Sequence, residues 1–274
     1  MTRENGLKQR ARSETPRVVV IGMGEVGRPL FEILSRAYPC IAVDLSPVEI
    51  RKPCSVLHVC YPFQIRRFVD VTAGYISKYQ PELAIINSTI EPGTARQIQA
   101  LVSQPVVYSP VRGKHVRMET DLLRYKKFVA GFTTDAVHKA ANHFSKAGFS
   151  TDIFRSPEIA EFSKLIETTW LGVLVAWAQE VQRMAAHYGA TYQEVNHFIE
   201  EIDFLPGHIF PGHIGGHCVL PNIEILRRQV PSNWLEMIIE SNNNKREELE
   251  AAAPRDMQGC SRSDESVQVT GEQT

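Results

Sequence analysis

Two side chains in the second half of the sequence carry groups suited to covalent or acid–base chemistry. Cys218 follows two glycines in a loop that also holds His213 and His217, and a thiolate near cationic groups is a nucleophile. Lys164 lies three residues after Glu161, so its ammonium is a proton shuttle, an oxyanion stabiliser or half of a solvated ion pair. A packed thiol is the plain alternative for Cys218. Although these histidines and the cysteine have metal-ligand chemistry, no second cysteine pair supports a site, and we predict no metal.

A glycine-rich loop with the spacing GxGxxG occupies Gly22–Gly27. It follows an apolar β-branched run, precedes a predicted helix and has Asp44 twenty residues after Gly24, a context that predicts a dinucleotide site. A glycine-rich turn without a ligand is the alternative. The Asp44 carboxylate would bind ribose hydroxyls and repel a 2′-phosphate, so we expect NAD rather than NADP. The predicted cofactor contacts are Gly22, Met23, Gly24, Glu25, Val26, Gly27, Asp44, Tyr61 and Thr89.

The segment Asn87–Thr94 (NSTIEPGT) follows another apolar run, Leu83–Asn87. Sheets of parallel strands bind ligands beyond the carboxyl ends of their strands, so Thr89 is placed to bind a substrate hydroxyl or the nicotinamide ribose. The same groups are typical of helix caps, and Ser88, Thr89 and Glu91 would equally cap the next helix, with Pro92 in its first turn. His58, inside a predicted strand, is interpreted as a satisfied polar group.

The elements that position these residues alternate between strand and helix up to about residue 155. Alternation of this kind predicts a parallel sheet covered by helices on both faces, an α/β, Rossmann-type, doubly wound domain over residues 17–155. The predicted strands are Arg17–Gly22, Cys40–Asp44, Ser55–Cys60, Leu83–Asn87, Pro105–Tyr108, Lys127–Gly131 and Thr151–Phe154, and the helices are Glu25–Ala37, Phe63–Tyr79, Gly93–Val102 and Asp135–Ala147.

Residues 156–250 read as a small all-helical domain that begins with a long interdomain helix from Glu158 to about Tyr188. The middle of this helix is apolar almost all round, which predicts burial on several sides and a homodimer through residues 157–188. Shorter helices are expected at Tyr192–Glu201, Asn222–Gln229 and Ser232–Leu249. Residues 1–16 and 251–274 are polar, and we expect a disordered leader and a disordered tail.

Composition excludes several classes of function. The net charge is −1, so no basic excess points to nucleic acid. The longest apolar run, Trp170–Ala178, is about half of the ~20 residues that span a membrane, and the N-terminal residues lack the apolar core of a signal peptide. The cysteines are five, an odd number, without a CxxC spacing, so we predict reduced thiols in a cytoplasmic protein.

Six segments in order, GMGEVG, VCYP, NSTIEPGT, SPVRG, AEFSKLIE and GGHC, resemble the UDP-glucose/GDP-mannose dehydrogenase family. The resemblance runs from about Arg17 to Leu249. It implies two rounds of NAD-dependent oxidation that take a sugar primary alcohol through an aldehyde to a carboxylate. It also implies that Cys218 captures the aldehyde, that Lys164 stabilises the oxyanion and that Thr89 helps to hold substrate or water.

The sequence departs from that family at four positions. Thr168 stands where the family has asparagine, Asn222 replaces an aspartate, and Val111 and His115 replace two glutamates. Asn222 can orient a water but cannot take its proton, whereas His115 is a substitute base. We therefore expect the first oxidation to survive better than the second. The family also has a third domain for the nucleotide of the substrate, which would follow the end of this sequence.

The leading functional hypothesis is NAD-dependent oxidation of a CH–OH group of a sugar or nucleotide sugar, with Cys218, Lys164, Thr89 and Asn222 as the catalytic residues. A second hypothesis is a β-hydroxyacid dehydrogenase that uses Lys164 without the cysteine. A third is a non-catalytic, NAD-binding scaffold or regulatory protein, which the four departures motivate.

Overall fold

A computed structural model describes residues 17–45, 48–49, 53–203, 205–207 and 209–252. The predicted leader lies outside these residues, as does the predicted tail apart from Ala251 and Ala252, which end the last helix. Within the described part of the chain, no helix is both long enough and apolar enough to cross a membrane.

Seven strands form one sheet in the order β2-β1-β3-β4-β5-β6-β7. Apolar β-branched residues fill the central strands, which are buried on both faces as parallel strands under two helical layers must be. The strands are β1 (Arg17–Ile21), β2 (Cys40–Val43), β3 (Cys54–Val59), β4 (Leu83–Ile86), β5 (Val106–Tyr108), β6 (Lys127–Gly131) and β7 (Thr151–Ile153).

The prediction of an all-parallel sheet is wrong at one pair, because β6 runs antiparallel to β5. The connection between them holds a 3₁₀ turn, His115–Arg117, and a short helix, and β6 begins at the edge where β5 ends. The buried ammonium of Lys127, the first residue of β6, donates to the carbonyl oxygens of Ser109 and Pro110 at 2.6 and 2.9 Å. This staple holds the start of β6 against the end of β5.

Helices cover both faces of the sheet, as the doubly wound prediction requires. Val18 and Val20 of β1 pack with one helical layer, whereas Val19 and Ile21 pack with the other. The first layer contains α1, α4 and α5, and the second contains α2 and α3. The helices are α1 (Gly27–Ser35), α2 (Phe68–Tyr79), α3 (Thr94–Leu101), α4 (Met118–Arg124), α5 (Thr134–Lys146), α6 (Pro157–His187), α7 (Tyr192–Glu200), α8 (Val219–Gln229) and α9 (Asn233–Ala252).

Several helices begin later than the pattern predicts, and two of these starts change the interpretation of nearby residues. Helix α2 starts at Phe68 rather than Phe63, after Arg67 in a left-handed conformation with a φ of 60°. Helix α3 starts at Thr94 with Gly93 as its N-cap, so Pro92 precedes the helix and is not in its first turn.

The chain divides into two compact units. The first contains the sheet, with the described residues up to Thr168 and Asn222–Gln229, and the second contains Thr169–Pro221 and the described residues from Val230 onward. The second unit is helical apart from its loops, as predicted for this half of the chain. Its buried core includes Ala178, Val181 and Tyr192.

His58 is a satisfied polar group inside β3, as predicted. Its side chain is fully buried, with Nε2 at 2.9 Å from His143 Nε2 and Nδ1 at 3.2 Å from Asn87 Nδ2. Burial lowers the pKa of the His58 imidazole well below its usual range and that of His143 to about 4. Both rings are therefore neutral at pH 7, which allows one to donate to the other.

Candidate active site

The glycine-rich loop joins the end of β1 to the start of α1 with no space for two side chains. Gly22 has a φ of 89°, and a Cβ added there would lie 2.7 Å from the amide nitrogen of Tyr61. A Cβ at Gly27 would lie 1.7 Å from the carbonyl oxygen of Gly22. The first and third glycines therefore allow a tight turn and a close helix–strand approach, as the motif predicts.

The middle of this loop is open and suited to a phosphate. A Cβ at Gly24 would meet nothing within 4 Å, and Val26, the N-cap of α1, makes no side-chain cap. The first N–H groups of α1 thus lack a side-chain cap at a helix end where the dipole favours anions. Asp44 is exposed directly after β2, the sheet neighbour of β1. These residues fit the pyrophosphate and a ribose of a dinucleotide.

His115 lies against the glycine-rich loop. Its Nδ1 is 2.7 Å from the Glu25 carboxylate, so the imidazole that was predicted as a substitute base has a partner within the cofactor loop. Val111, directly after Ser109-Pro110, is buried in the hydrophobic core. Arg112 donates to the Lys126 carbonyl at 2.8 Å and lies 4.7 Å above the Phe128 ring.

The segment after β4 is held by its neighbours along the same edge. Ser88 donates from Oγ to the Tyr61 carbonyl at 2.6 Å, which ties the segments after β4 and β3 together. The Tyr61 hydroxyl lies 2.6 Å from Thr72 Oγ1, and burial raises the pKa of this phenol. Thr89, the next residue after Ser88, is half-buried beyond the carboxyl end of β4, the edge at which parallel sheets bind ligands.

The cap of α3 comes from another helix, and the prediction that Ser88, Thr89 or Glu91 caps it is wrong. Glu161 of α6 is fully buried, and its carboxylate accepts hydrogen bonds from Gly93 N at 2.6 Å and Ala95 N at 2.9 Å. Glu91 instead accepts a hydrogen bond from Gln229 of α8. Burial raises the pKa of Glu161 to about 7, because the charged form loses solvation that the two amides only partly replace.

Lys164 pairs with Glu167 rather than with Glu161, although its spacing from Glu161 had allowed an ion pair. Its Nζ lies 2.6 Å from Glu167 Oε2, and its side chain is only 10% exposed while that of Glu167 is 50% exposed. The lysine is therefore largely desolvated, unlike a typical surface ion pair, and its partner carboxylate reaches solvent.

Two of the predicted departures from the family touch each other. Asn222 of α8 donates from Nδ2 to Thr168 Oγ1 at 3.1 Å, and both residues are buried. The Thr168 hydroxyl in turn donates to the Leu165 carbonyl at 3.0 Å, one helical turn back. Sequence reasoning identified both positions but not their contact, because they lie on different helices.

Cys218 belongs to the second unit and is half-buried immediately before α8. The described cysteines, Cys40, Cys54, Cys60 and Cys218, form no disulfide, and Cys260 lies outside the described residues. Within the described ranges, no group of three or more His, Cys, Asp or Glu side chains is placed to hold a metal ion. Lys164, Thr89, Asn222 and the glycine-rich loop all belong to the first unit.

Comparison with known proteins confirms the predicted family resemblance. Residues 158–244 match the UDP-glucose/GDP-mannose dehydrogenase family, central domain. A curated relative, the UDP-N-acetyl-D-mannosamine dehydrogenase of Pyrococcus horikoshii, is 25% identical over 258 residues, covering 74% of this chain and 62% of that protein. The chain thus spans less than two thirds of the length of this relative.

Two solved structures share the fold. A UDP-D-ManNAc dehydrogenase from Pyrococcus horikoshii superposes with a TM-score of 0.76 at 18% identity, over 86% of this chain and 70% of that one. A 3-hydroxyisobutyrate dehydrogenase from Mycobacterium tuberculosis superposes with a TM-score of 0.63 at 12% identity, over 86% of this chain and 94% of that one. Both likenesses confirm the α/β, Rossmann-type architecture.

Substitution of Gly27 tests the close approach of α1 to β1. Gly27→Ala is expected to lower the free energy of unfolding by about 3 kcal/mol or more, because the new methyl overlaps the Gly22 carbonyl. Gly24→Ala, in open space on the same loop, is the control and should change it by less than about 1 kcal/mol. Urea unfolding measures both, and equal effects would contradict the crowding.

Glu161→Gln tests the buried cap through its pH dependence. Because the folded-state pKa is raised from 4.5 to about 7, the wild type should lose stability relative to Glu161→Gln as the pH rises from about 4.5 to 7. Urea unfolding at several pH values measures the difference. Glu167→Gln, which removes a half-exposed carboxylate from the same helix, is the control for loss of charge. A stability difference that stays constant over this range would show that the pKa of Glu161 is not raised in the folded protein.

Proposed function

We propose that this chain is an NAD-dependent dehydrogenase that oxidises a CH–OH group of a sugar or nucleotide sugar in the cytoplasm. The observation that carries the proposal is the family match over residues 158–244, which includes both Lys164 and Cys218. The chemistry of these two side chains made them candidates, and the family resemblance made them the favoured catalytic residues. The printed name of the curated relative, a UDP-N-acetyl-D-mannosamine dehydrogenase, favours a nucleotide sugar as the substrate.

The cofactor would lie along the carboxyl edge of β1 and β2. In this proposal the uncapped start of α1 binds the pyrophosphate, while Gly24 leaves space for its close approach. The Asp44 carboxylate accepts hydrogen bonds from the ribose hydroxyls, and Met23, Glu25, Val26, Tyr61 and Thr89 complete the contacts. When bound, NAD supplies the acceptor for the hydride that leaves the substrate carbon.

Cys218 and Lys164 would act on the aldehyde that the first oxidation produces. The Cys218 thiolate adds to the carbonyl carbon, forming a C–S bond while the carbonyl electron pair moves to oxygen. The ammonium of Lys164, desolvated along most of its side chain, stabilises this oxyanion. Loss of a second hydride, for which a second NAD would be the acceptor, would give a thioester. Water would then break its C–S bond, releasing the acid and returning the thiol.

The contact between Thr168 and Asn222 favours the first oxidation over the release of an acid. The Asn222 amide donates to a neutral hydroxyl, and neither group takes a proton from water. His115, the substitute base, is engaged with Glu25 at 2.7 Å. We therefore expect that thioester hydrolysis is slow and that the acyl-enzyme at Cys218 accumulates.

A β-hydroxyacid dehydrogenase is the second candidate, because the fold covers 94% of a solved 3-hydroxyisobutyrate dehydrogenase. Such an enzyme would use Lys164 and would not need the Cys218 thiol. A non-catalytic NAD-binding protein is the third candidate, and it would bind the cofactor without turnover.

We also propose that the functional form is a homodimer through the helix at 157–188. In the second unit of a single chain, Trp170, Trp177 and Trp234 are 57%, 59% and 62% exposed. They line an apolar depression of about 770 Å³ together with Leu174 and Met237. Exposed tryptophans on this scale are typical of a protein interface, and α6 of a second copy supplies the apolar side chains to cover them.

Replacement of the cysteine tests the proposed chemistry. With NAD and a panel of nucleotide sugars, free sugars and small hydroxyacids, the wild type should form NADH on a sugar compound. Cys218→Ser should lower the second oxidation by about 100-fold or more, because the serine hydroxyl is a far weaker nucleophile. Cys40→Ser, the same change at another half-buried thiol, is the control.

The ratio of NADH to substrate separates one oxidation from two. A ratio near one would show that the second hydride transfer does not occur. A burst of about two NADH per enzyme followed by slow turnover would support slow release of the acid, and steady turnover at a ratio near two without a burst would contradict it. Turnover of a hydroxyacid that survives Cys218→Ser would favour the second candidate. Cofactor binding without turnover across the panel would favour the non-catalytic candidate.

Sedimentation and light scattering test the homodimer. The wild type should have twice the mass of one chain, and Trp177→Glu should be monomeric because it places a charge in the apolar depression. Ala186→Glu is the control, since this exposed alanine lies on the opposite side of α6, nine residues from Trp177. A monomeric wild type, or a dimeric Trp177→Glu variant, would contradict the proposal.

A further inference from the structure

The loop that precedes Cys218 has no regular secondary structure of its own. Residues 209–218 belong to neither helix nor strand, and the loop is rich in glycine and histidine. His213, Gly215 and His217 are exposed, while Ile214 between them is only 7% exposed. Since glycine-rich loops lose much conformational entropy on ordering, some other interaction must hold this one in place.

Asn242 of α9 binds both backbone groups of Ile214. The Ile214 N–H donates to Asn242 Oδ1 at 2.6 Å, and Asn242 Nδ2 donates to the Ile214 carbonyl at 3.1 Å. The Asn242 side chain thereby supplies Ile214 with one acceptor and one donor, the two groups that a neighbouring β-strand would otherwise provide. Asn242 is 2% exposed, so neither bond competes with water.

Gln179 of α6 supports the same loop from a second helix. Its Nε2 donates to the Gly212 carbonyl at 2.7 Å and to Asn242 Oδ1 at 3.3 Å. Its Oε1 accepts a hydrogen bond from Ser241 Oγ at 3.0 Å. This bond fixes the orientation of the amide, so its donor nitrogen must face the loop.

An ion pair anchors the far end of this network. Arg183 Nη2 donates to Ser241 Oγ at 2.6 Å, and Arg183 also pairs with Glu180 at 2.5 Å and Glu248 at 2.8 Å. The hydroxyl of Ser241 therefore accepts from Arg183 and donates to Gln179. The chain of hydrogen bonds runs without a break from Arg183 to the backbone of Ile214, four residues before Cys218.

We propose that Gln179 and Asn242 are positioning residues that hold the backbone of the Cys218 loop, and so place the thiol for attack. The role of the thiol in this inference rests on the proposed function. The ordering of the loop does not depend on that function. Loss of the Asn242 amide leaves the backbone groups of buried Ile214 without a partner, and the loop must then move to reach water. Loss of the Gln179 amide removes the donor to the Gly212 carbonyl and so frees the same loop. A shift of about 1 Å in a reacting group lowers turnover by about 100-fold.

The chain offers a matched pair of substitutions for the test. Asn242→Leu keeps the approximate shape of the side chain and removes both bonds to Ile214. Asn243→Leu makes the same change at the next residue, which is exposed. Ser241→Ala is a milder variant that leaves both bonds to Ile214 in place and removes the hydroxyl that joins Gln179 to Arg183, and it serves if Asn242→Leu does not fold.

Three readouts separate positioning from general stability, each taken on the folded fraction. Amide hydrogen exchange of the peptide over residues 209–218 should be about tenfold faster in Asn242→Leu. Iodoacetamide alkylation of Cys218, identified by peptide mass, should also be faster because the loosened loop exposes the thiol. The kcat for sugar oxidation should fall by about 10- to 100-fold while the KM for NAD stays constant. Ser241→Ala should move all three in the same direction by less.

Exchange and alkylation rates in Asn242→Leu that equal those of Asn243→Leu would overturn the inference, whatever the stability of the variant. Faster exchange and alkylation, in a protein whose turnover does not depend on Cys218, would uphold the ordering of the loop and refute the proposed function instead. Faster exchange with unchanged kcat in a Cys218-dependent enzyme would refute the positioning role.

Discussion

The buried carboxylate of Glu161 is the interaction on which the ligand edge of the first unit depends. It reaches from α6 to the first turn of α3 and binds two amides there, Gly93 N and Ala95 N. A carboxylate at a helix N-terminus is favourable, but full burial offsets part of that gain, and the raised pKa of Glu161 reflects this balance. The segment containing Thr89 lies between this cap and β4, so its position follows from both. Lys164, three residues along the same helix, is placed relative to the sheet by the same anchor.

The two loops that carry the proposed chemistry are ordered in different ways. The conformation of the loop at Gly22–Gly27 requires glycine at both ends, because a side chain at either end would collide with backbone atoms. The loop before Cys218 is instead held by hydrogen bonds, because the amides of Asn242 and Gln179 bind its backbone groups. The middle of the first loop, at Gly24, remains open, as a bound cofactor would require. Hydrogen bonds from buried side chains fix the backbone of the second loop and leave its outer surface exposed.

The departures from the family form a consistent set in three dimensions. Val111, where the resemblance implies a glutamate, is buried in the apolar core that also contains residues of α1. Thr168 and Asn222 have replaced an asparagine and an aspartate, and they hydrogen-bond to each other. Each replacement removes a carboxylate or an amide while leaving its neighbours satisfied. The altered positions are therefore compatible with a stable fold, and in the proposed mechanism they change proton transfer from water rather than folding.

Local patterns in the sequence determined the glycine-rich loop, all seven strands and the long helix, because spacing and apolar periodicity act between near neighbours. They did not predict α4, since seven residues are too few to show a periodic face, or the antiparallel β6, since pairing direction depends on where the chain re-enters the sheet. They identified Cys218 and Lys164 as reactive groups, and the family resemblance added Asn222, but neither gave the partners of these side chains. The cap by Glu161 and the clamp by Asn242 join residues distant in sequence, and only packing of separate helices brings such groups together. The sequence alone thus determined which chemistry is present, and the tertiary structure decided which groups are held, because burial makes each hydrogen bond depend on elements far along the chain.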